Sequence, residues 1–211
     1  MVLENFVVFE GLDGSGTSTQ IKLIGEKIPS EKCFITAEPT ENEIGKFLRK
    51  MLQAKVKLAP KTAAYLFASD RCEHVYGENG ILQNCQNGKI VLSDRYLFSS
   101  LAYQSPICGK EMVSKLNQDF PLPKILFFFE IDPKDSLNRV FERSKQTGAQ
   151  TEIYEKLEIQ QKTYQAYQNV ILDYEKSQNE MQIIRIDATK SIEQIHEKIW
   201  NIIQNMPIFK A

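Results

Sequence analysis

Residues 5–16, NFVVFEGLDGSG, run into Thr17-Ser18-Thr19, and this junction restricts the chain more than any other stretch. An apolar run of strand character meets a glycine-rich turn, and a helical pattern opens directly after it. A strand, a tight turn and a helix in that order aim successive backbone N–H groups and a helix N-terminus at one point, which makes an anion site. Gly11, Gly14 and Gly16 allow the sharp turn and the close backbone approach that phosphate oxygens require. The spacing follows the phosphate-loop pattern G-x-x-x-x-G-K-[ST], with Gly11 and Gly16 in the glycine positions and Ser18 in the hydroxyl position. Thr17 stands where that pattern carries lysine. What is lost is a point charge. By analogy with removing one catalytic electrostatic donor, this costs ~3–4 kcal/mol of transition-state stabilisation. Backbone binding of phosphate survives the loss, whereas efficient transfer requires another cation. Lys22, Arg139, Arg143 and Lys145 are the candidates, and the sequence does not choose among them.

The remainder repeats the strand-then-helix alternation. Strands are expected over 5–10, 32–36, 89–93, 124–131 and 182–186, and helices over 17–27, 43–53, 62–76, 97–104, 110–119, 133–144, 152–176 and 192–205. Such alternation means parallel strands joined by right-handed crossovers. With 211 residues and no repeat or Pro/Gly-rich linker, one domain spanning 1–211 is expected. The polar stretch KQTGAQT (145–151) marks a mobile lid around 143–153.

Charge and composition exclude several classes. Twenty-six Lys+Arg against 27 Asp+Glu leave a net charge of −1, so no global field draws the chain to nucleic acid or to an anionic membrane. Cys33, Cys72, Cys85 and Cys108 form no C-x-x-C pair and only two histidines exist, which argues against zinc. Free thiols suit a reducing cytoplasm. The opening MVLENFVVFEG has no basic start, and the apolar run at 125–129 is too short to span a bilayer, so a soluble cytoplasmic protein is expected. His74 and His196 are assigned to solvated helix faces, without chemistry.

Two further segments bear on a second anion site: FASDR (67–71) in a helical pattern, and DRYLFSSLAYQ (94–104) directly after the third strand. An arginine and an aspartate leaving the carboxyl end of a central strand stand at the crevice where open α/β sheets bind ligands. Arg95 there would meet a phosphate and Asp94 a Mg²⁺-bound water, although an Asp-Arg pair is also a common local ion pair.

Taken in order, EGLDGSG, TAEPT, LFASDR, DRYLFSSLAYQ, FFFEIDP and a helix bearing Arg139 and Arg143 resemble the thymidylate kinase family along nearly the whole chain. The resemblance implies a P-loop NTPase fold with a five-stranded parallel sheet, helices on both faces and a short lid. It implies a cytoplasmic homodimer that moves the γ-phosphate of MgATP to dTMP, giving dTDP. ATP would lie on Gly11, Gly14, Ser15, Gly16, Thr17, Ser18 and Thr19, with Mg²⁺ at Ser18 and Asp94. Phe67 would stack on thymine and Arg71 would bond its O4. Arg95 would grip the dTMP phosphate, with Arg49 as a second contact. Asp13 would sit beside the sugar 3′-hydroxyl and the reacting phosphates, with Arg143 of the lid, one of the four candidate cations, taken as the catalytic one. Tyr103 would press on the deoxyribose, and Ser100 and Gln104 would complete the pocket.

These roles agree with the chemistry, because phosphoryl transfer asks mainly for positioning and positive charge. The chain also departs from the family pattern. Besides Thr17, Ala37 stands where many bacterial members carry arginine, Thr40-Glu41 replaces a glycine pair, and the stretch from Thr151 to Tyr154 lacks their Asp-Arg. Two other readings remain open at this point: a nucleotide-binding protein with little catalysis, and a deoxynucleoside kinase with Glu38 as its general base.

Overall fold

The computed structural model describes residues 1–148, 152–177 and 180–209. Five strands, β1 (Val2–Gly11), β2 (Cys33–Ala37), β3 (Ile90–Asp94), β4 (Leu122–Glu130) and β5 (Gln182–Asp187), form one parallel sheet in the order β2-β3-β1-β4-β5. Phe6, Val7, Val8 and Phe9 are consecutive and all fully buried, so both faces of β1 are covered, as an all-parallel sheet demands. Ile125 to Phe129 do the same on β4. In register, Phe9 faces Asp94 and Gly11 faces Phe129, which brings the carboxyl ends of the three central strands to one edge.

Among the described residues the helices are α1 (Thr17–Gly25), α2 (Glu43–Leu52), α3 (Pro60–Tyr76), α4 (Ile81–Gln86), α5 (Leu97–Cys108), α6 (Lys110–Asn117), α7 (Pro133–Thr147), α8 (Leu157–Lys176) and α9 (Ile192–Ile203). Local chemistry explains their starts. The Asn42 side chain accepts from Gly45 N, and the Asp132 side chain accepts from Lys134 N with Pro133 in the first turn. Ser191 and Gln194 form a capping box. Helix α1 packs on α9, and α5 packs on α8, α6 and α3.

All five strands and all eight expected helices are present, with three differences. Helix α4, ILQNCQ, has too few residues to show a period, and the burial of Ile81 explains why it forms. Helix α5 runs past the expected stop at Gln104, carrying Pro106 in its last turn before Gly109 leaves at φ 92°. The third difference lies at the lid. Residues 152–156 form turns rather than the start of the long helix, because Ile153 N donates to Leu52 O at 2.9 Å, and Ile153 and Tyr154 pack against Leu48, Leu52 and Ala63. A tertiary hydrogen bond and apolar burial thus override helix propensity. The expected lid includes Ala149, Gln150 and Thr151, which lie outside the described residues.

Phe127 is fully buried with its ring centroid 5.2 Å from that of Phe9. Phe127→Ala should therefore cost about 3–5 kcal/mol in urea unfolding. A loss below about 1 kcal/mol would show that the sheet centre is loosely packed.

Candidate active site

The loop between β1 and α1 has the backbone its glycines foretell. Gly14 and Gly16 take φ values of 84° and 101°, and a Cβ on Gly14 would lie 2.6 Å from Ser136 O. No side chain fits there, so Gly14 is required both by conformation and by the close approach of α7. Ser136 Oγ also donates to Asp13 O, which ties α7 to the loop. The loop from Gly14 to Thr19 borders a cavity of about 420 Å³ that Arg139, Arg143 and Lys190 also line. This separates the four candidate cations. Arg139, which donates to Ala188 O at 2.9 Å, and Arg143 share the cavity with the loop. Lys145 instead pairs with Glu142 at 2.9 Å and lies over the Phe141 ring. Lys22 borders a different groove, beside Ile35 of β2.

At the mouth of the loop, Ser18 Oγ donates to Asp94 Oδ2, while Asp94 Oδ1 is buried without a partner among the described residues. A hydroxyl and a carboxylate oxygen are the hard donors that Mg²⁺ selects. No cluster of three or more His, Cys, Asp or Glu suited to a metal occurs among the described residues. A magnesium ion at Ser18 and Asp94 would therefore share its remaining positions with water and phosphate oxygens, the usual arrangement for this ion.

A second cavity, of about 220 Å³, opens beyond Asp94 and brings together Phe67, Arg71, Arg95, Ser100, Tyr103, Gln104 and Arg49. Seven residues drawn from three helices and one strand end thus converge as expected. Arg95 sits at φ 70°, a strained value for a side-chain-bearing residue, and many bonds hold it. It donates to Gly11 O and Ser99 Oγ at 3.1 Å each, pairs with Asp13, and lies over the Tyr103 ring at 5.6 Å. Tyr103 and Gln160 donate to the other Asp13 oxygen at 3.3 and 3.2 Å. Arg71 is 1 % exposed and donates to Glu38 at 2.6 Å, Ser100 at 2.9 Å and Asn117. Its Nε and the Gln104 Oε1 are buried and have no partner among the described residues, so one donor and one acceptor remain for a ligand. Phe67 is half-buried and both packs with the Leu48 cluster and lines the cavity. Arg49 donates to Pro39 O and pairs with Glu41 at 2.9 Å at the rim.

Several site residues escape sequence reasoning. Glu10 is fully buried and accepts from Tyr96 N, Ser99 N, Ser99 Oγ and Tyr167 OH at 2.7–3.1 Å. Desolvation pushes its carboxyl up to about 7, against the opposing pull of Arg95 and of these donors. Its signal was an acid embedded in an apolar strand one residue before the loop. Glu152 and Tyr154 line the second cavity from the turns before α8. Burial, then Asp13 and Glu155, raise the Glu152 carboxyl. The assignment of His74 to a solvated face is overturned: it is 6 % exposed, with Nδ1 3.1 Å from Glu38 and Nε2 2.6 Å from Thr36 Oγ1. Its partners, Thr36 of β2 and Glu38 just after it, lie 38 and 36 residues away along the chain, so no local pattern reveals them. His196 is partly exposed, and the four cysteines are free thiols.

With this geometry in hand, comparison with known proteins is direct. The family model described as thymidylate kinase matches residues 9–199. The chain is 41% identical over 199 residues to a putative thymidylate kinase of Treponema pallidum, covering 94% of both chains. It is 38% identical to a probable thymidylate kinase of Methanococcus maripaludis, covering 97% of this chain and 98% of that one. A probable thymidylate kinase of Methanocaldococcus jannaschii is 35% identical, with 98% and 100% covered.

The raised Glu10 pKa has a consequence for stability. The folded state holds this proton up to about pH 7, whereas an unfolded carboxyl releases it near 4.5. The folded form thus binds more protons between those values, and unfolding free energy contributed by this group falls as pH rises from about 4.5 to 7. Denaturation across that window should show the decline in the wild type and a flatter profile in Glu10→Gln. Parallel profiles would mean that Glu10 titrates normally.

Proposed function

The chain belongs to the thymidylate kinase family, and from that premise we propose how its residues divide the work of the reaction. The protein is an ATP-dependent dTMP kinase: it transfers the γ-phosphate of ATP to dTMP, giving dTDP. The donor phosphates rest on the amides of Gly11, Gly14, Ser15, Gly16, Thr17, Ser18 and Thr19, and dTMP occupies the cavity lined by Phe67, Arg71, Ser100, Tyr103 and Gln104. The observation that carries this assignment is the Asp13–Arg95 pair: Asp13 directly precedes Gly14, where the lining of the loop cavity begins, and its side chain lines the acceptor cavity together with Arg95.

Arg95 holds the acceptor phosphate, with Arg49 as second contact, and Asp13 fixes the direction of the Arg95 guanidinium. The acceptor phosphate oxygen is already a nucleophile near neutral pH, so no general base is needed. Ser18 and Asp94 would hold Mg²⁺, which when bound neutralises charge on the phosphate oxygens. Because Thr17 offers no charge, Arg143, with Arg139 beside it, supplies the cation that the loop lacks. Both side chains line the donor cavity, which supports them over Lys145 and Lys22. Phe67 stacks on the base, and the unpartnered Arg71 Nε and Gln104 Oε1 match a base that presents both an acceptor and a donor.

The deoxynucleoside kinase reading asks Glu38 to act as a base. Burial favours its neutral form, but Arg71 and then His74 outweigh that and hold its carboxyl below the ordinary value. A carboxylate bound by two cationic or donor groups is a poor proton acceptor. We infer further that the chain is one domain with a lid around 143–153 and a homodimer in the cytoplasm, as in the family. Among the described residues no helix is long and apolar enough to cross a membrane.

The direct test is ADP formation from MgATP by purified protein with dTMP, with thymidine and with no acceptor. Turnover of ~1–100 s⁻¹ with dTMP alone is expected, and turnover with thymidine instead would transfer the chain to the nucleoside kinases. Arg143→Ala should lower kcat by roughly 10²–10³ with little change in dTMP KM. An unchanged kcat would remove Arg143 from the transition state.

A further inference from the structure

His74 is a buried imidazole that the phosphoryl-transfer chemistry does not use. It lies one helical turn beyond Arg71 on α3, and its two nitrogens meet groups from the end of β2 and the residue after it. The Thr36 hydroxyl is 2.6 Å from Nε2 and Glu38 Oε1 is 3.1 Å from Nδ1. A hydroxyl donates or accepts, whereas a carboxylate only accepts. Nδ1 must therefore carry the proton whether the ring is neutral or charged, and Thr36 adjusts to either state.

Glu38 then spends its second oxygen on Arg71 Nη2 at 2.6 Å. The rest of the guanidinium is equally constrained. Nη1 donates to Asn117, Nη2 also donates to Ser100 at 2.9 Å, and the group lies over the rings of Tyr96 and Phe120 at 5.5 and 5.7 Å. Nε is the guanidinium nitrogen that lacks a partner among the described residues. A planar group held at both η nitrogens cannot turn its Nε–H away from a mismatched ligand. A base carbonyl accepts from that donor, whereas an exocyclic amino group at the same ring position sets donor against donor.

We propose that His74 is a positioning residue for base recognition: through Glu38 it locks the Arg71 guanidinium so that its free donor reads a ring carbonyl and rejects an amino group. This rests on the reading of Arg71 as the base contact. Without the Nδ1–H donor, Glu38 keeps its charge but loses one of its two anchors. The guanidinium then keeps Asn117 and Ser100 but loses the fixed direction of its carboxylate, and its donor tilts toward either ligand. The loss falls on discrimination between pyrimidines, and the transfer step is untouched because neither residue meets the reacting phosphates.

The experiment compares kcat/KM for dTMP and dCMP at saturating ATP in wild type, His74→Leu, His74→Gln and Arg71→Met. In His74→Leu the dTMP/dCMP ratio should fall about tenfold or more, the size of a lost hydrogen bond to a charged group. The change should appear as a raised dTMP KM with kcat and ATP KM nearly constant. His74→Gln, whose amide still donates to Glu38, should recover most of the ratio. A His74→Leu ratio within about twofold of wild type, even with lowered thermal stability, would overturn the proposal and leave His74 a packing residue. An unchanged ratio in Arg71→Met would overturn the base reading of Arg71 and the proposal with it; a collapse in Arg71→Met alone would overturn only the role of His74. Should His74→Leu fail to fold, the isosteric Thr36→Val removes the hydroxyl that anchors the ring, and the same ratio decides.

Discussion

The Glu10 carboxylate, buried at the carboxyl end of the central strand, is the interaction on which the site depends. One oxygen accepts the N–H groups of Tyr96 and Ser99, and the other accepts the hydroxyls of Ser99 and Tyr167. Those two N–H groups belong to the start of α5, so β1 sets where that helix begins. The Ser99 and Tyr167 hydroxyls in turn offer oxygens to Arg95 at 3.1 and 3.3 Å. A single acid thus couples the phosphate loop that follows it, the helix that lines the acceptor pocket, and α8. Burying it is costly, and the four donors with Arg95 offset only part of that cost, the rest showing in a carboxyl raised to about 7.

The charges of the acceptor pocket follow one rule. Each arginine has a dedicated carboxylate, the buried Arg71 with Glu38 and the half-buried Arg95 with Asp13, and both line the cavity. Unpaired, either guanidinium would be too costly to bury. Paired, it remains a donor array in a low-dielectric pocket, where hydrogen bonds to a phosphate or a carbonyl are strong. On the donor side the balance differs. The cations that line the loop cavity are Arg139 and Arg143 of α7 and Lys190 after β5, so none comes from the loop itself.

Much of this was legible in advance. The five strands and the loop after β1 stood out because apolar runs and glycines report on local backbone requirements. The pocket residues from Phe67 to Gln104 were visible as motifs that resemble one family, and the cavity gathers them. Glu10 and His74 were not legible for the same physical reason. A polar residue among apolar neighbours has no local signature for its partners, and those of Glu10 lie 86 to 157 residues away along the chain. Residues 152–156 failed differently: their helical pattern lost to one hydrogen bond with Leu52 and to burial of Ile153 and Tyr154.

The sequence by itself determined the alternation of strand and helix, the parallel sheet, the glycine-rich turn after β1 and the set of motif side chains that one cavity gathers, because each is encoded in residues adjacent along the chain or in a recognisable order. Tertiary structure decided which cations line the loop cavity, which acid supports each arginine and where residues 152–156 dock. Those choices depend on strand order and helix packing, which bring residues far apart in sequence within hydrogen-bonding distance, and no local pattern of residues carries that information.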